Sequence, residues 1–306
     1  MLSKPILALA SDRTKTAKKN EYCGDPEEWF DSEAFRKRNL YATAFDFFVN
    51  WETNSVCDEV WIKRISDSDE IHNQSALELM KLISDCDGKE KSNRLYRFMR
   101  HQNMSEKYML FRDVPEKLWD NGQEKVVELD MSKCYTEQNL VSQLDAEEIQ
   151  ERISQLRRYP AKLGQAGLIY STSSLEGYLS HKPYFWPGDA DTVLFDENNE
   201  VTAVIEFKKH TASSKIPFSE QKLKNYLERD ILKYKSLALL RDRFKTNLYV
   251  LYYPIPRDIN YMIIEKIDGN VDALYASARY ELDLPDRTGK GVETFAAAFT
   301  KKVLGR

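Results

Sequence analysis

From Trp186 to His210 the chain reads WPGDADTVLFDENNEVTAVIEFKKH, and no other stretch constrains the fold as tightly. Thr192 to Phe195 is an apolar run, and the cluster Asp196, Glu197, Asn198, Asn199 and Glu200 has the chemistry of a turn. Val201 to Phe207 then resumes with β-branched and apolar residues. Strand, turn and strand make a hairpin. Side chains alternate faces along a strand, so Glu206 and Lys208 point one way and Ile205 and Phe207 the other. Asp189 and Asp191 share a face at the mouth of the first strand. The hairpin is therefore expected to bring acids and an amine together on neighbouring strands.

The other limits are broad. With 306 residues, 42% hydrophobic and 31% charged, the chain is globular and long enough for two domains. Its net charge of −4 excludes a histone-like basic protein, so any nucleic-acid surface must be a local patch. Cys23, Cys57, Cys86 and Cys134 form no CxxC pair, which argues against a zinc cluster and against a disulfide framework. The apolar run from Pro5 to Ala10 is too short to span a bilayer and lacks the flanks of a secretory signal. A cytoplasmic protein with no membrane partner is expected.

In chain order, residues 11–24 read as a loose basic arm. Asp25, Pro26, Glu27 and Glu28 start a helix carrying Trp29, Phe30, Phe35 and Leu40. The aromatic block Tyr41 to Trp51 reads as core, ahead of base stacking. Helices are predicted over Gln74–Cys86 and Ser92–His101, the second with Arg94, Arg97 and Arg100 along one basic edge, read as a solvated face ahead of a phosphate contact. Lys107–Arg112 and Glu124–Asp130 read as strands around a turn at Asn121 and Gly122. A domain boundary is placed in the broken polar stretch from Cys134 to Leu144. The expectation is a mainly helical N-terminal domain, 1–140, and an α/β domain, 141–306, with a mixed central sheet flanked by helices.

The second half carries more order. Asp145 with Glu148 forms an acidic capping box ahead of Ile149, Ile153 and Leu156, and Pro160 ends that helix. Ala166–Tyr170 reads as a short strand and Ser173 with Glu176 as a short helix start. After the hairpin, Ser219–Phe244 is a long helix with the stripe Leu223, Leu227, Ile231, Tyr234 and Leu237. Asn247–Tyr253 and Tyr261–Ile267 are strands, and Gly291–Val303 is a closing amphipathic helix.

Carboxylates at Asp191 and Glu206 on adjacent strands suit a hard divalent ion, Mg²⁺ or Mn²⁺, with the Phe207 carbonyl as a third protein ligand. Such an ion polarises a phosphoryl oxygen and activates water, and Lys208 is placed to orient that water or offset charge on phosphorus. An isolated E-x-K triplet usually marks only a solvated strand. The ordered combination, Gly188, Asp191, an apolar strand, an acidic turn, a second apolar strand and then Glu206 and Lys208, resembles the core of the PD-(D/E)XK nuclease superfamily. The resemblance covers about a third of the chain, Asp145–Tyr253. It implies a restriction-endonuclease-like fold, catalytic Asp191, Glu206 and Lys208, and Asp191 rather than Asp189 as the motif acid, with Asp189 a helper. Family members add an acid from the preceding helix, for which Glu148, Glu151 and Glu176 are candidates, Glu176 being the one carried as a metal ligand. They also carry a polar residue on the following helix, for which Gln221 is the candidate.

From Val201 to Lys245 there are eleven Lys or Arg against five Asp or Glu, in a chain that is negative overall. Lys209, Lys215 and Lys222 are the expected nucleic-acid contacts, with Gln221; exposed helix lysines are also ordinary without any partner. His210 is a loop residue beside the motif. The expected function is Mg²⁺-dependent hydrolysis of phosphodiester bonds in DNA, in restriction, repair or mobile-element defence, with a homodimer left open. An RNA nuclease of the same fold and a silent binding or scaffold module are the alternatives.

Overall fold

The computed structural model describes residues 1–133, 140–160, 167–286 and 289–306. They form a mixed α/β protein. Short strands β1 (Leu2–Ser3), β2 (Ala8–Leu9) and β3 (Asp12–Thr16) precede helices α1 (Pro26–Phe30) and α2 (Glu33–Arg36). The hairpin β4 (Leu40–Asn50) and β5 (Ser55–Ser66) follows, then helices α3 (Ala76–Asp87) and α4 (Lys89–His101). Next come β6 (Ser105–Arg112), α5 (Glu116–Asp120), β7 (Val126–Asp130) and β8 (Val141–Leu144). Helix α6 (Ala146–Arg157), β9 (Tyr170–Ser171) and α7 (Ser174–Leu179) lead to the hairpin β10 (Gly188–Asp196) and β11 (Val201–His210). The long helix α8 (Lys224–Phe244), strands β12 (Leu248–Pro254), β13 (Tyr261–Asp268) and β14 (Tyr275–Asp283), and helix α9 (Gly289–Lys302) complete the chain.

The N-terminal half is therefore built on strands and is not a mainly helical domain. Aromatic and β-branched residues suit a pleated surface, and Leu40–Asn50 and Ser55–Ser66 are rich in both. The single helix expected after Asp25 is two short ones, because Ser32 starts a second helix and Asn39, at φ 55°, turns the chain into β4. The basic arm contains β3. The strands expected at Lys107 and Glu124 are β6 and β7, paired antiparallel with Lys107 opposite Asp130, but α5 intervenes where a tight turn was expected. Cys134, much of the expected boundary stretch and Ala166 lie outside the described residues.

The compact units interleave along the chain and do not follow a cut at residue 140. Unit 1 comprises Met1–Ala17 and Phe45–Gly188; unit 2 comprises Lys18–Ala44 and Asp189–Arg306. In unit 1 the ladder runs β4-β5-β6-β7-β8, with β5 and β6 parallel and the other pairs antiparallel. One face of it, with Trp61, Met109 and Phe111, packs against Ile149 and Ile153 of α6 and Leu175 and Leu179 of α7. The Asp145–Glu148 capping box is formed as expected and starts α6.

In unit 2 the ladder runs β10-β11-β12-β13-β14, with β11 and β12 parallel and the other pairs antiparallel. The parallel pair needs a crossover, and α8 supplies it. On one face Ile205, Leu251 and Ile264 pack with Trp29, Phe30 and Phe35 of α1 and α2 and with Phe295 and Phe299 of α9. Phe299 is fully buried, which contributes about 1.5–3 kcal/mol. The opposite face of β11 carries Glu206 and Lys208 under α8. No helix among the described residues is long and apolar enough to cross a membrane.

Candidate active site

Unit 2 brings the three residues of the expected motif together. Thr192 is paired with Ile205 in the β10–β11 ladder, and one step further along stand Asp191 and Glu206. Asp191 Oδ2 accepts a hydrogen bond from the Phe207 N–H at 2.6 Å, which ties the acid to the strand that carries Glu206. It is the N–H of Phe207 that meets Asp191, whereas its carbonyl was the expected ligand. Glu206 is 1% exposed, and its Oε1 lies 3.0 Å from Lys208 Nζ. Its Oε2 has no hydrogen-bond partner among the described residues.

Helix α8 adds two side chains. Its backbone leaves helical geometry at Asp230, at φ −110° and ψ 23°. Asp230 Oδ2 accepts from Lys208 Nζ at 3.2 Å, and Arg229 holds the same carboxylate. One turn on, Lys233 Nζ lies 2.8 Å from Glu206 Oε1 and 3.1 Å from Asp189 Oδ1. The Lys208 ammonium also sits 5.4 and 5.3 Å from the ring centres of Tyr226 and Tyr234, within cation–π range. The kink changes the predicted helix stripe as well. Leu223, Tyr234 and Leu237 are buried, but Ile231, one residue past the break, is 37% exposed.

The electrostatics follow from crowding acids in a dry place. Burial first, then the Glu206 carboxylate, push the Asp191 carboxyl well above the usual range; Lys233 and the Phe207 N–H act in the opposite sense. Asp191 itself is half-buried. For Lys233, burial disfavours the ammonium, yet Asp189, Glu206 and Asp191 outweigh it and hold the amine charged. Burial opposes ionisation of Asp230 too, and Arg229 and Lys208 outweigh it. Burial, followed by the Glu206 charge, raises the Tyr234 hydroxyl above its ordinary value.

The remaining expected residues lie as follows. Asp189 reaches this group through Lys233. Glu176 belongs to unit 1, where it accepts from the Thr172 N–H and hydroxyl and pairs with Lys63 at 3.4 Å. Glu148 is committed to the cap of α6 and Glu151 lies on that helix. Gln221 is 2% exposed, donating to the Ile216 carbonyl and accepting from Tyr226, beside a His210 packed on Phe218. Lys209 donates to the Lys18 carbonyl at 2.8 Å, whereas Lys215 and Lys222 are exposed. Nothing in the sequence marks Lys233 and Asp230. A Lys and an Asp on a long charged helix carry no signal there, and the break that aims them has no Pro or Gly to announce it.

Among the described residues no three His, Cys, Asp or Glu side chains are gathered to hold a metal ion by themselves. A hard divalent ion nonetheless fits this donor set. Glu206 offers a buried oxygen without a hydrogen-bond partner, Asp191 is a neighbouring carboxyl, and the cluster already attracts the cation Lys233. No family model, curated protein or solved structure matches the chain.

Proposed function

We propose that unit 2 is a divalent-metal-dependent nuclease that hydrolyses phosphodiester bonds, with DNA ahead of RNA as substrate. The observation that carries this reading is Glu206: a carboxylate 1% exposed, one strand from Asp191 and 3.0 Å from Lys208. Burying an acid costs free energy unless it is compensated, and this one keeps an oxygen without a hydrogen bond. The resemblance of Gly188, Asp191, Glu206 and Lys208 to the PD-(D/E)XK core supports the same reading.

Asp191 and Glu206 would hold Mg²⁺ or Mn²⁺, with the Phe207 carbonyl and Asp189 as further donors and water for the rest. When bound, the ion supplies Lewis-acid activation of the phosphoryl group and a more acidic water. Glu206 and Asp230 hold the Lys208 ammonium between them, in position to orient the attacking water and to offset charge developing on phosphorus. Tyr226 and Tyr234 flank that ammonium and limit its movement. Exposed Lys215 and Lys222 supply phosphate attraction without sequence readout.

The test is digestion of supercoiled plasmid, linear duplex, single-stranded DNA and RNA, with and without Mg²⁺ or Mn²⁺. Wild-type protein cuts DNA only with the ion, and Asp191→Asn and Glu206→Gln do not cut. Equal cutting by a clean Glu206→Gln preparation removes the assignment, and preferential cutting of RNA moves the substrate. The Lys233 bridge between Glu206 and Asp189 favours a second reading, a self-neutralised site that binds nucleic acid without cutting it. Binding by electrophoretic shift with no cleavage in either ion selects that reading.

A further inference from the structure

Strand for strand, the two units are built alike. Unit 1 runs β4, β5, the helical crossover α3 and α4, β6, the short helix α5, β7, β8 and then α6. Unit 2 runs β10, β11, the crossover α8, β12, β13, β14 and then α9. The order and direction of the five strands repeat, antiparallel, parallel, antiparallel, antiparallel, and unit 1 adds β1 antiparallel to the end of β5. Both opening hairpins turn on an asparagine in the left-handed region, Asn54 at φ 50° and Asn199 at φ 65°. Both ladders shift register on the turn side, between Phe47 and Val49 and between Leu194 and Phe195.

The faces correspond too. In each unit the crossover covers one face of the second strand and binds its cation. Arg64 of β5 pairs with Asp87 of α3 at 2.7 Å, as Lys208 of β11 pairs with Asp230 of α8 at 3.2 Å. The closing helix covers the other face, α6 against Trp61 and α9 against Ile205. Two residues before each cation, on the same face, stand Ile62 in unit 1 and Glu206 in unit 2. Ile62 is 2% exposed, and the first strand offers Phe45 and Phe47 to that face, both buried. Glu106 of β6, opposite Val60, is a buried acid on the same face, at the position that Leu248, opposite Val204, fills in unit 2. Asp46 and Lys63 repeat the spacing of Asp191 and Lys208, but they lie on the opposite face. There they pair at 3.3 Å, with Trp186 Nε1 donating to the same Asp46 oxygen at 2.8 Å.

We infer that unit 1 is a second copy of the unit 2 architecture in which, among the described residues, Ile62 stands where unit 2 has Glu206. Among the described residues the paired acids with a lysine two residues on stand in unit 2, so the expected divalent ion and hydrolytic centre belong to that unit. The site half of this inference rests on the proposed nuclease reading; the architectural half does not.

Two measurements on the full chain separate them. Equilibrium Mn²⁺ binding, read by the loss of the free-ion paramagnetic resonance signal, gives one ion per wild-type chain. The ion is lost in Glu206→Gln and kept in Asp46→Asn and in Ile62→Val. An ion that persists in Glu206→Gln, or that disappears in Asp46→Asn with the fold intact, overturns the inference. No ion in wild-type protein removes the nuclease reading, while unit 1 still binds none, as inferred. Native-state hydrogen exchange tests the architecture without any metal. Amides of the central parallel pairs, β5 with β6 and β11 with β12, exchange about tenfold or more slowly than those of β8 and β14 respectively. Uniform exchange across β5 to β8 beside graded exchange across β11 to β14 overturns the equivalence of the two units.

Discussion

Replacing Lys233 by methionine removes a cation but keeps a side chain of similar length. In the native protein the Lys233 ammonium lies 2.8 Å from Glu206 and 3.1 Å from Asp189, so it already supplies positive charge to the carboxylates that would bind a divalent ion. An incoming ion must displace that ammonium and forfeit its interaction. Taking one partner out of a fully buried ion pair costs about 3–5 kcal/mol, and an exposed pair is worth less than about 1 kcal/mol. With Glu206 1% and Lys233 30% exposed along the side chain, the interaction is worth about 1–3 kcal/mol. Lys233→Met therefore tightens Mn²⁺ binding by about 5- to 150-fold. The same variant, without metal, unfolds at lower denaturant concentration because Glu206 is left short of a partner. A binding isotherm for wild type and variant in the same buffer decides it. Unchanged or weaker Mn²⁺ affinity in a folded variant refutes the idea that lysine and ion share these carboxylates.

Lys208→Ala lowers kcat by about 10²-fold or more with a smaller effect on DNA binding, because its ammonium acts on charge that develops in the transition state; single-turnover cleavage beside a binding titration separates the two. Burial first, and then the charge of Asp87, raise the Glu106 carboxyl to about 8, against the Tyr108 hydrogen bond that pulls it down. Between about pH 4.5 and 8 the folded chain keeps a proton that the unfolded chain has released. This contribution to stability is thus fully present below pH 4.5 and falls as pH rises to 8, at up to about 1.4 kcal/mol per pH unit. Glu106→Gln removes that slope in denaturant unfolding followed across the window. Asp145→Ala deletes the acceptor of the Glu147 and Glu148 amides, both at 2.9 Å, and lowers stability by about 1 kcal/mol, seen as a fall of about 2–4 °C in melting temperature.

The parts of the molecule legible in its sequence are those set by short-range pattern. The β10–β11 hairpin follows from an apolar run on either side of an acidic turn, and α6 from a capping box. Glu206 and Lys208 share a face because strand periodicity demands it. What was not legible depends on partners far away in the chain. The block at Tyr41–Trp51 is a strand because β5 lies beside it, and β5 in turn pairs in parallel with β6, across α3 and α4. Strand β14 has one buried residue, Leu282, in a largely exposed run and so lacks the apolar signal of its neighbours. Lys233 enters the site because α8 breaks at Asp230, which helix propensity does not foretell. The likeness of the two units is hidden for the same reason. It lives in ladder order and in which face each helix covers, whereas the one spacing shared by Asp46–Lys63 and Asp191–Lys208 places the first pair on the wrong face.

A crystal of the wild-type protein soaked in Mn²⁺ and measured at the manganese absorption edge tests the central claim most directly. The expected map has an anomalous peak shared by the Asp191 and Glu206 carboxylates, with the Lys233 ammonium displaced from Glu206 and Lys208 still beside it. A map without a peak at those carboxylates, and with Lys233 still bridging Glu206 and Asp189, contradicts it.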